Sequence, residues 1–482
     1  MKPSTARFLL RRANCPSASS TLSLRSFSRC AYSVPPTQPA PVVARNSPRF
    51  GVPVHTRANA VRLQPGSRWA STKSALKKTQ LYDLHVAHKA KMVPYAGFSM
   101  PLQYGDMSHL ESHIWTRTKA SLFDVSHMVQ HQLRGPGARA LLEKITPSSL
   151  SSLKDDNSTL SCLLEEGTGG IVDDTVITRL GPESFYFVTN AGRREEDLAF
   201  LTKEIEAFRQ SHDPDARESV INWTVLENRA LLALQGPASA AVLQSVVTTG
   251  EPSIDSDLSS LHFGQCRSLH LSFPDGSHTP ARLLISRTGY TGEDGFEVSI
   301  PTDQNPKLAD KVAELFLSNP DVRLAGLAAR DSLRLESGMC LYGHEISVAT
   351  TPPTAGLGWV VGRDRRDPSS PASAFNGSSV ILPQLASPAK MLKERRVGLT
   401  VEAGAPAREG APIVDLADGN AQVGVVTSGL PSPTLGGTNI AMGYVKSGLH
   451  KKGTELGVLV RKKVRKATVT PLPWVPPKFY KG

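Results

Sequence analysis

The sequence predicts an α+β protein that ends in a small all-β barrel, and three observations carry that prediction. Residues 133–145, "LRGPGARALLEKI", follow a strand-like "HMVQHQL", and residues 234–246, "LQGPASAAVLQSV", follow "NRALLA". Each unit reads as a strand, a Gly-Pro turn and a helix with proline near its first turn, where the missing N–H costs little. Their recurrence hints at two related α+β halves, although Gly-Pro before a helix is common chemistry. The third observation is a change after residue 394 to short strands between Gly/Pro turns: "RRVGLTVE", "APIVDL", "QVGVVTSG", "NIAMGYV" and "ELGVLVRKKVRKATVT". That spacing predicts a small barrel. Residues 362–394, rich in Pro, Ser and charge, read as the linker to it.

A chain of 482 residues is too long for one ordinary core. No apolar run approaches the roughly 18 residues of a membrane span, so no membrane partner is expected. The net charge of +12 suggests nucleic acid until it is located. Residues 1–82 hold 14 Lys and Arg and no acid, which leaves residues 83–482 at about −2. No nucleic-acid partner is expected. The basic run "RKKVRK" (461–466) alternates with valine and reads as an exposed strand whose charges guard it.

The basic segment itself is Arg-rich, Ser-rich and free of acids, with Phe8, Leu9 and Leu10 set against Arg7, Arg11 and Arg12. It reads as a mitochondrial transit peptide and disordered leader over 1–70, a chloroplast transit peptide being the second reading. Cys15 and Cys30 leave with it. Cys162, Cys266 and Cys340 are far apart in sequence and match no metal-ligand spacing, so reduced core thiols and no metal are expected.

Three stretches carry candidate chemistry. In "GGIVDDTVIT" (169–178) the two-residue period of a strand puts Asp174 on the more apolar face and leaves Asp173 in water. Either both acids cap amides at the turn after Gly169 and Gly170, or Asp174 is a positioned acid in a cleft; spacing leaves both open. In "RTGYTGEDGFEVSI" (287–300), Phe296, Val298 and Ile300 share one face, so Glu297 and Ser299 point away from that domain's core. Glu297 is then either solvated or part of a cleft wall, with Tyr290 at the loop tip able to pack on a ring. The glycines precede a strand and open no helix, so they form no dinucleotide fingerprint. In "LAGLAARDSLRLESGMCLYGHEI" (324–346) a helix stops near Gly338. Arg330 and Arg334 lie one turn apart on one face, with Asp331 able to pair with Arg334, which fits a charged exterior. Against that, Arg330 sits among small residues, where a planar guanidinium suits a carboxylate or carbonyl ligand.

Eleven ordered segments resemble the aminomethyltransferase (T-protein) family of the glycine cleavage system. They include "LYDLHVAHKAKMVPYAGFSMPLQY" (81–104), "SLFDVSHM" (121–128), "GGIVDD", "VTNAG" (188–192), "ALLALQGP" (230–237), "GYTGEDGFE", "AGLAARDSLRLESGMCLYG", "RRVGL" (395–399) and "VTSGLPSP" (426–433), spread over about 78–478. The resemblance implies an enzyme that moves the aminomethyl group on the lipoyl arm of H-protein to tetrahydrofolate, releasing ammonia and 5,10-methylenetetrahydrofolate. P-protein and L-protein are its partners in that system, and the mitochondrial matrix is its compartment. It also implies a three-domain folate-binding ring: two α+β domains (78–361), the linker, and a β-barrel over 395–478. Carried over by position, Asp174 is the key acid, Glu297 binds the pterin and Tyr290 is the aromatic beside it. Met128, Asn190 and Arg330 complete the folate site, with Trp359 and Arg396 nearer the folate tail.

One departure stands at the C-terminus, where many relatives end in two tyrosines and this chain has Phe479 and Tyr480. The nearest rival is a non-catalytic folate-binding iron–sulfur assembly factor of the same fold. Its K-G-C-Y-x-G-Q-E signature is not matched by "SGMCLYGHEI". Flavin-dependent sarcosine or dimethylglycine dehydrogenases share the module but need a dinucleotide-binding domain before it.

Overall fold

The structure is a computed structural model that describes residues 75–249 and 255–482; the expected leader over 1–70 lies outside the described residues. Among the described residues no helix is long and apolar enough to cross a membrane.

A five-stranded sheet runs in the order Asn157–Leu164, Ile171–Gly181, Ser184–Thr189, Val129–Arg134, Asn222–Val225, all antiparallel. A six-stranded sheet runs Cys266–Leu269, Leu283–Ser286, Gly295–Pro301, Arg229–Gln235, Ala120–Asp124, Val322–Leu324. Only its last pair is parallel. The five-stranded sheet is thus inserted in the chain between two neighbouring strands of the other.

Both Gly-Pro units do the same job, one in each sheet. Strand Val129–Arg134 leads through Gly135 to helix Ala138–Ile145, and strand Arg229–Gln235 through Gly236 to helix Ser239–Val246. The glycines take φ of +117° and +126°. A Cβ there would stand 2.3 Å from the Val220 carbonyl oxygen and 2.2 Å from that of Lys119, so both space and conformation demand glycine. The prolines fall just before the helices rather than in their first turns.

Each sheet buries one face under helices. Phe185, Phe187 and Leu133 pack on Phe200, Leu201 and Ile205 of helix Arg194–Gln210. Phe296, Val298 and Ile300, all 0% exposed, pack with Val312 and Phe316 of helix Leu308–Leu317, as the alternation predicts.

The C-terminal strands close a barrel in the order Glu394–Val401, Thr438–Lys446, Ala421–Ser432, Pro412–Asp415, Glu455–Val460, Lys463–Thr470, the last pairing back with the first. The basic run lies partly in the turn at Arg461 and Lys462, both at positive φ, and partly on Lys463–Thr470. That strand has partners on both sides, so its lysines face water from a barrel wall rather than from a sheet edge.

The segment 362–394 is folded as well as connecting. Its helix Ser378–Ala386 buries Ile381 and Leu382, which pack with Phe375 against Cys162, Leu164 and Ile171. The Arg365 guanidinium donates to the carbonyls of Thr146 and Ser148 at 2.7 and 2.9 Å. Helix Leu327–Glu336 joins the second sheet to the barrel through Glu336, a buried carboxylate. It takes hydrogen bonds from Arg117 at 2.8 Å, from the His113 ring at 3.0 Å and from the Thr434 backbone at 3.0 Å.

Candidate active site

The acids of "GGIVDD" lie on strand Ile171–Gly181, Asp173 fully buried and Asp174 half-buried. Asp173, expected in water, is 0% exposed. The face it shares with Ile171, Thr175 and Ile177 is the fully buried one, while the Asp174 face is only half-buried along Asp174 and Val176, so the two sides are the reverse of those the apolar count suggests. Asp173 meets Asp197 of helix Arg194–Gln210. Asp174, half-buried, meets the charge of Arg330. Neither acid caps the glycine turn. Instead the Asn190 backbone N–H donates to Asp173 Oδ2 at 2.7 Å. Its side-chain Nδ2 donates to Asp173 Oδ1 at 2.8 Å and to Asp174 Oδ1 at 2.7 Å. Burial and the charge of Asp173 push the Asp174 carboxyl up to about 7, against the opposing Asn190 hydrogen bond and Arg330.

Arg330 approaches from helix Leu327–Glu336, which starts at Gly326. A Cβ at Gly326 would stand 2.4 Å from the carbonyl oxygen of Leu102, on strand Phe98–Tyr104, so glycine lets the helix start close against that strand. The Arg330 guanidinium lies 4.8 Å from the centre of the Tyr290 ring, and its charge reaches Asp174, Glu297 and His127. Tyr290 is fixed by its hydroxyl, which donates to the Cys340 carbonyl. Glu297, half-buried, accepts a hydrogen bond from the Thr288 hydroxyl at 3.1 Å. Burial raises its carboxyl above the usual range, with Arg330 and Thr288 holding it down. Glu297 is thus half-buried and hydrogen-bonded, and is not a freely solvated side chain. Met128 packs on Val125, Ala329 and Leu333, beside the turn that carries Arg330.

Asp174, Asn190, Arg330, Glu297, Tyr290 and Met128 therefore lie in one connected environment. Trp359 is 61% exposed. Arg396 directs its donors to the carbonyls of Ala355 and Gly338 and to the Met442 sulfur, at 2.6, 3.0 and 3.1 Å. Among the described residues, neither shares a hydrogen bond, ion pair or ring contact with the six. Phe479 stacks on Phe263 at 4.0 Å between ring centres, and the Tyr480 hydroxyl donates to the Ser259 carbonyl at 3.1 Å. Cys162, Cys266 and Cys340 are free and buried. Cys162 and Cys340, distant in sequence, share one apolar cluster. Burial pushes the thiols of Cys266 and Cys340 up to about 12, which leaves them protonated and unreactive.

Sequence reasoning missed several supporting residues. Asp197 reads as an ordinary acid in the first turn of a helix, and nothing in "RREEDLAF" distinguishes it. His127 is buried, and burial with the charge of Arg330 lowers its ring to about 4, so it stays neutral. Asp124 takes hydrogen bonds from Thr79, the His85 ring and the Ser126 N–H at 2.6, 2.9 and 2.9 Å. Burial works to raise its carboxyl, but those bonds prevail and hold it at about 2. This anchor fixes the start of the "DVSHM" segment that delivers Met128. A cavity of about 420 Å³ opens there, lined by His127, Met128 and Gln130 together with Lys77, Lys78 and Arg229.

Two helix-faced sheets and a closed barrel, with half-buried acids, a guanidinium and an aromatic ring brought together between elements distant in sequence, are an architecture that gathers polar, ionisable groups at one sheltered place. The GCVT N-terminal domain model matches residues 81–365, and the glycine cleavage T-protein C-terminal barrel domain model matches residues 394–476. The mitochondrial aminomethyltransferase of Saccharomyces cerevisiae is 45% identical over 410 residues, 85% of this chain and 96% of that protein. That of Pisum sativum is 44% identical over 414 residues, 86% of this chain and 93% of that protein. The crystal structure of the glycine cleavage system aminomethyltransferase T from Bartonella henselae superposes with a TM-score of 0.71 at 36% identity, covering 84% of this chain and all of that one. The chain belongs to the T-protein family of the glycine cleavage system, and its activity is that of an aminomethyltransferase.

Proposed function

We propose that this aminomethyltransferase works in the mitochondrial matrix, takes the aminomethyl carbon from the lipoyl arm of H-protein, and uses the Asp174–Arg330–Glu297 centre to hand it to tetrahydrofolate. The observation that carries the assignment to this centre is Arg330. It is a guanidinium with no carboxylate ion pair among the described residues, yet it faces two carboxyls whose acidity burial has weakened. Such a centre is incomplete without a polar ligand.

In this reading Glu297 accepts the planar N–H donors of the pterin and Tyr290 packs at its edge. Met128 and Asn190 border the ring, and Trp359 and Arg396 serve the folate tail. The reaction breaks the bond from the lipoyl sulfur to the aminomethyl carbon and the bond from that carbon to its nitrogen, and forms two bonds to folate nitrogens. The two protons the folate nitrogens lose end on the lipoyl thiol and on ammonia. Asp174, at about 7, is suited to accept one of them and release it near neutral pH. A dry site keeps the iminium-like carbon from water. Lys77, Lys78 and Arg229 at the cavity beside Met128 suit a transient, charge-dependent contact with H-protein, which salt would weaken. P-protein and L-protein are the further partners of this reading, in the same system.

The test incubates the purified protein with aminomethyl-loaded H-protein and tetrahydrofolate while ammonia and methylenetetrahydrofolate are followed together. Equal yields of both, lost without folate or with Asp174→Asn, support the reading. Folate binding without either product would instead place the chain with the non-catalytic folate binders.

A further inference from the structure

We propose that Asp173 is a positioning residue for the transfer reaction: backed by Asp197, it clamps the Asn190 side chain so that one amide hydrogen is held on Asp174. The proposal rests on the reading of Asp174 as the reacting acid.

The geometry of Asn190 carries the argument. A side-chain amide has two hydrogens on nitrogen and an acceptor oxygen. Here the nitrogen reaches Asp173 Oδ1 at 2.8 Å and Asp174 Oδ1 at 2.7 Å, so both hydrogens are committed to acids. Only the nitrogen end can serve two carboxylate acceptors, which fixes which way the amide is flipped. Its oxygen therefore points away from both acids and is left to accept from a ligand N–H. Asp173 also takes the Asn190 backbone N–H at 2.7 Å, so one buried carboxylate holds the residue at two points. A mere cap of the short turn Ala191–Arg193 would need only the backbone contact.

Asp197 explains how such a carboxylate is tolerated. It is 0% exposed, neither oxygen receives a hydrogen bond of good geometry, and its polar neighbours are Asp173 and the Thr189 hydroxyl. Burial raises the Asp173 carboxyl well above its usual range, and repulsion from Asp197 adds to it; burial raises Asp197 too. Two facing buried carboxyls keep a proton between them. The other charged or titratable groups near this pair are Arg193 and Glu196 at the helix start and Tyr342, with Cys162 and Arg330 on the Asp174 side. The shared proton limits the pair to a single negative charge, so Asp173 can serve as a strong acceptor without a second full charge behind Asp174.

The test is a double-mutant cycle on kcat and on folate affinity, with the melting temperature of each variant recorded. Asp173→Asn is expected to lower kcat about tenfold or more, and adding it to Asn190→Ala to cause little further loss, because it acts through that residue. Asp197→Asn, which keeps a donor to Asp173, is expected to restore most of the turnover that Asp197→Leu loses. Infrared spectra at about pH 9 should contain a protonated-acid carbonyl band that Asp197→Asn removes. Additive losses in the cycle, or no such band, would overturn the clamp. Asp174→Asn is measured alongside. Full turnover there removes the reading of Asp174, whereas a loss there with additive Asp173 and Asn190 effects removes only the clamp. If Asp173→Asn does not fold, the Asp197 pair and the band still decide.

Discussion

Arg330 and Arg334 stand one turn apart on the same helix and have opposite surroundings. Arg334 is 2% exposed and makes four hydrogen bonds, donating to Glu345 at 2.7 Å, Asp331 at 2.9 Å, the Met339 carbonyl at 3.2 Å and the Ser428 hydroxyl at 2.8 Å. Arg330 has an aromatic face at 4.8 Å and no carboxylate ion pair among the described residues. Glu345 shows the same contrast with Glu297. Burial works to raise the Glu345 carboxyl, but Arg334 and its hydrogen bonds hold it below the usual range, whereas Glu297 is raised. A buried ion pair with four of the five guanidinium N–H donors used ties the helix to the barrel. Arg330, half-buried and without such a pair among the described residues, keeps its donors for the ligand that the proposed function gives it.

The comparison can be broken at four points. Arg334→Leu would leave Glu345 buried and unpaired, and a loss of about 3–5 kcal/mol in denaturant unfolding is expected; a loss below about 1 kcal/mol would show that Arg334 is not the tie described. Arg330→Leu should cost kcat/KM about a hundredfold while moving the melting temperature little. Unfolding as severe as that of Arg334→Leu would erase the distinction between the two arginines.

Asp174→Asn separates chemistry from stability. The folded carboxyl sits at about 7, above the unfolded value, so the folded state holds its proton longer and stability falls as pH rises from the ordinary carboxylate range through 7. The substitution should therefore raise the melting temperature by a few degrees at about pH 8 and have little effect near pH 4. Equal shifts at both would argue against a raised carboxyl. The smallest effect is expected for Phe479→Tyr, a change of roughly 0.5 kcal/mol or less with turnover within about twofold, since the ring's contact is a stack on Phe263. A large gain in turnover would place the missing hydroxyl in the reaction centre.

Much of this was legible in the residues. The Gly-Pro turns marked one strand–helix unit in each sheet, and the alternation of Phe296, Val298 and Ile300 put Glu297 on the opposite side from its domain's core. Helix pattern alone could not separate Arg334 from Arg330. The partners that bury Arg334 are Glu345, beyond a turn, and Ser428, in a different folding unit. Asp173 was misplaced because a period of two assigns faces without saying what covers them. Asp197 carried no signal, since its meaning comes from the strand packed against its helix.

The insertion of one sheet between two strands of another has a consequence for a chain that emerges from its N-terminus. The five-stranded sheet has all its strands once Val225 is out, whereas the six-stranded sheet waits for Val322–Leu324 and holds Ala120–Asp124 without its partners until Arg229–Gln235 arrives. The inserted sheet can thus have all its strands, though not yet the cover that Phe375 and Ile381 give Cys162 and Ile171, while the half that supplies Glu297 is still being threaded. Limited proteolysis of chains truncated after residue 247 should find 129–225 protected and 75–128 cleaved; uniform cleavage would show that the two halves form together. The acid Asp174 would then wait on a sheet whose strands are all paired for the opposite wall, and Arg330 with it, to arrive.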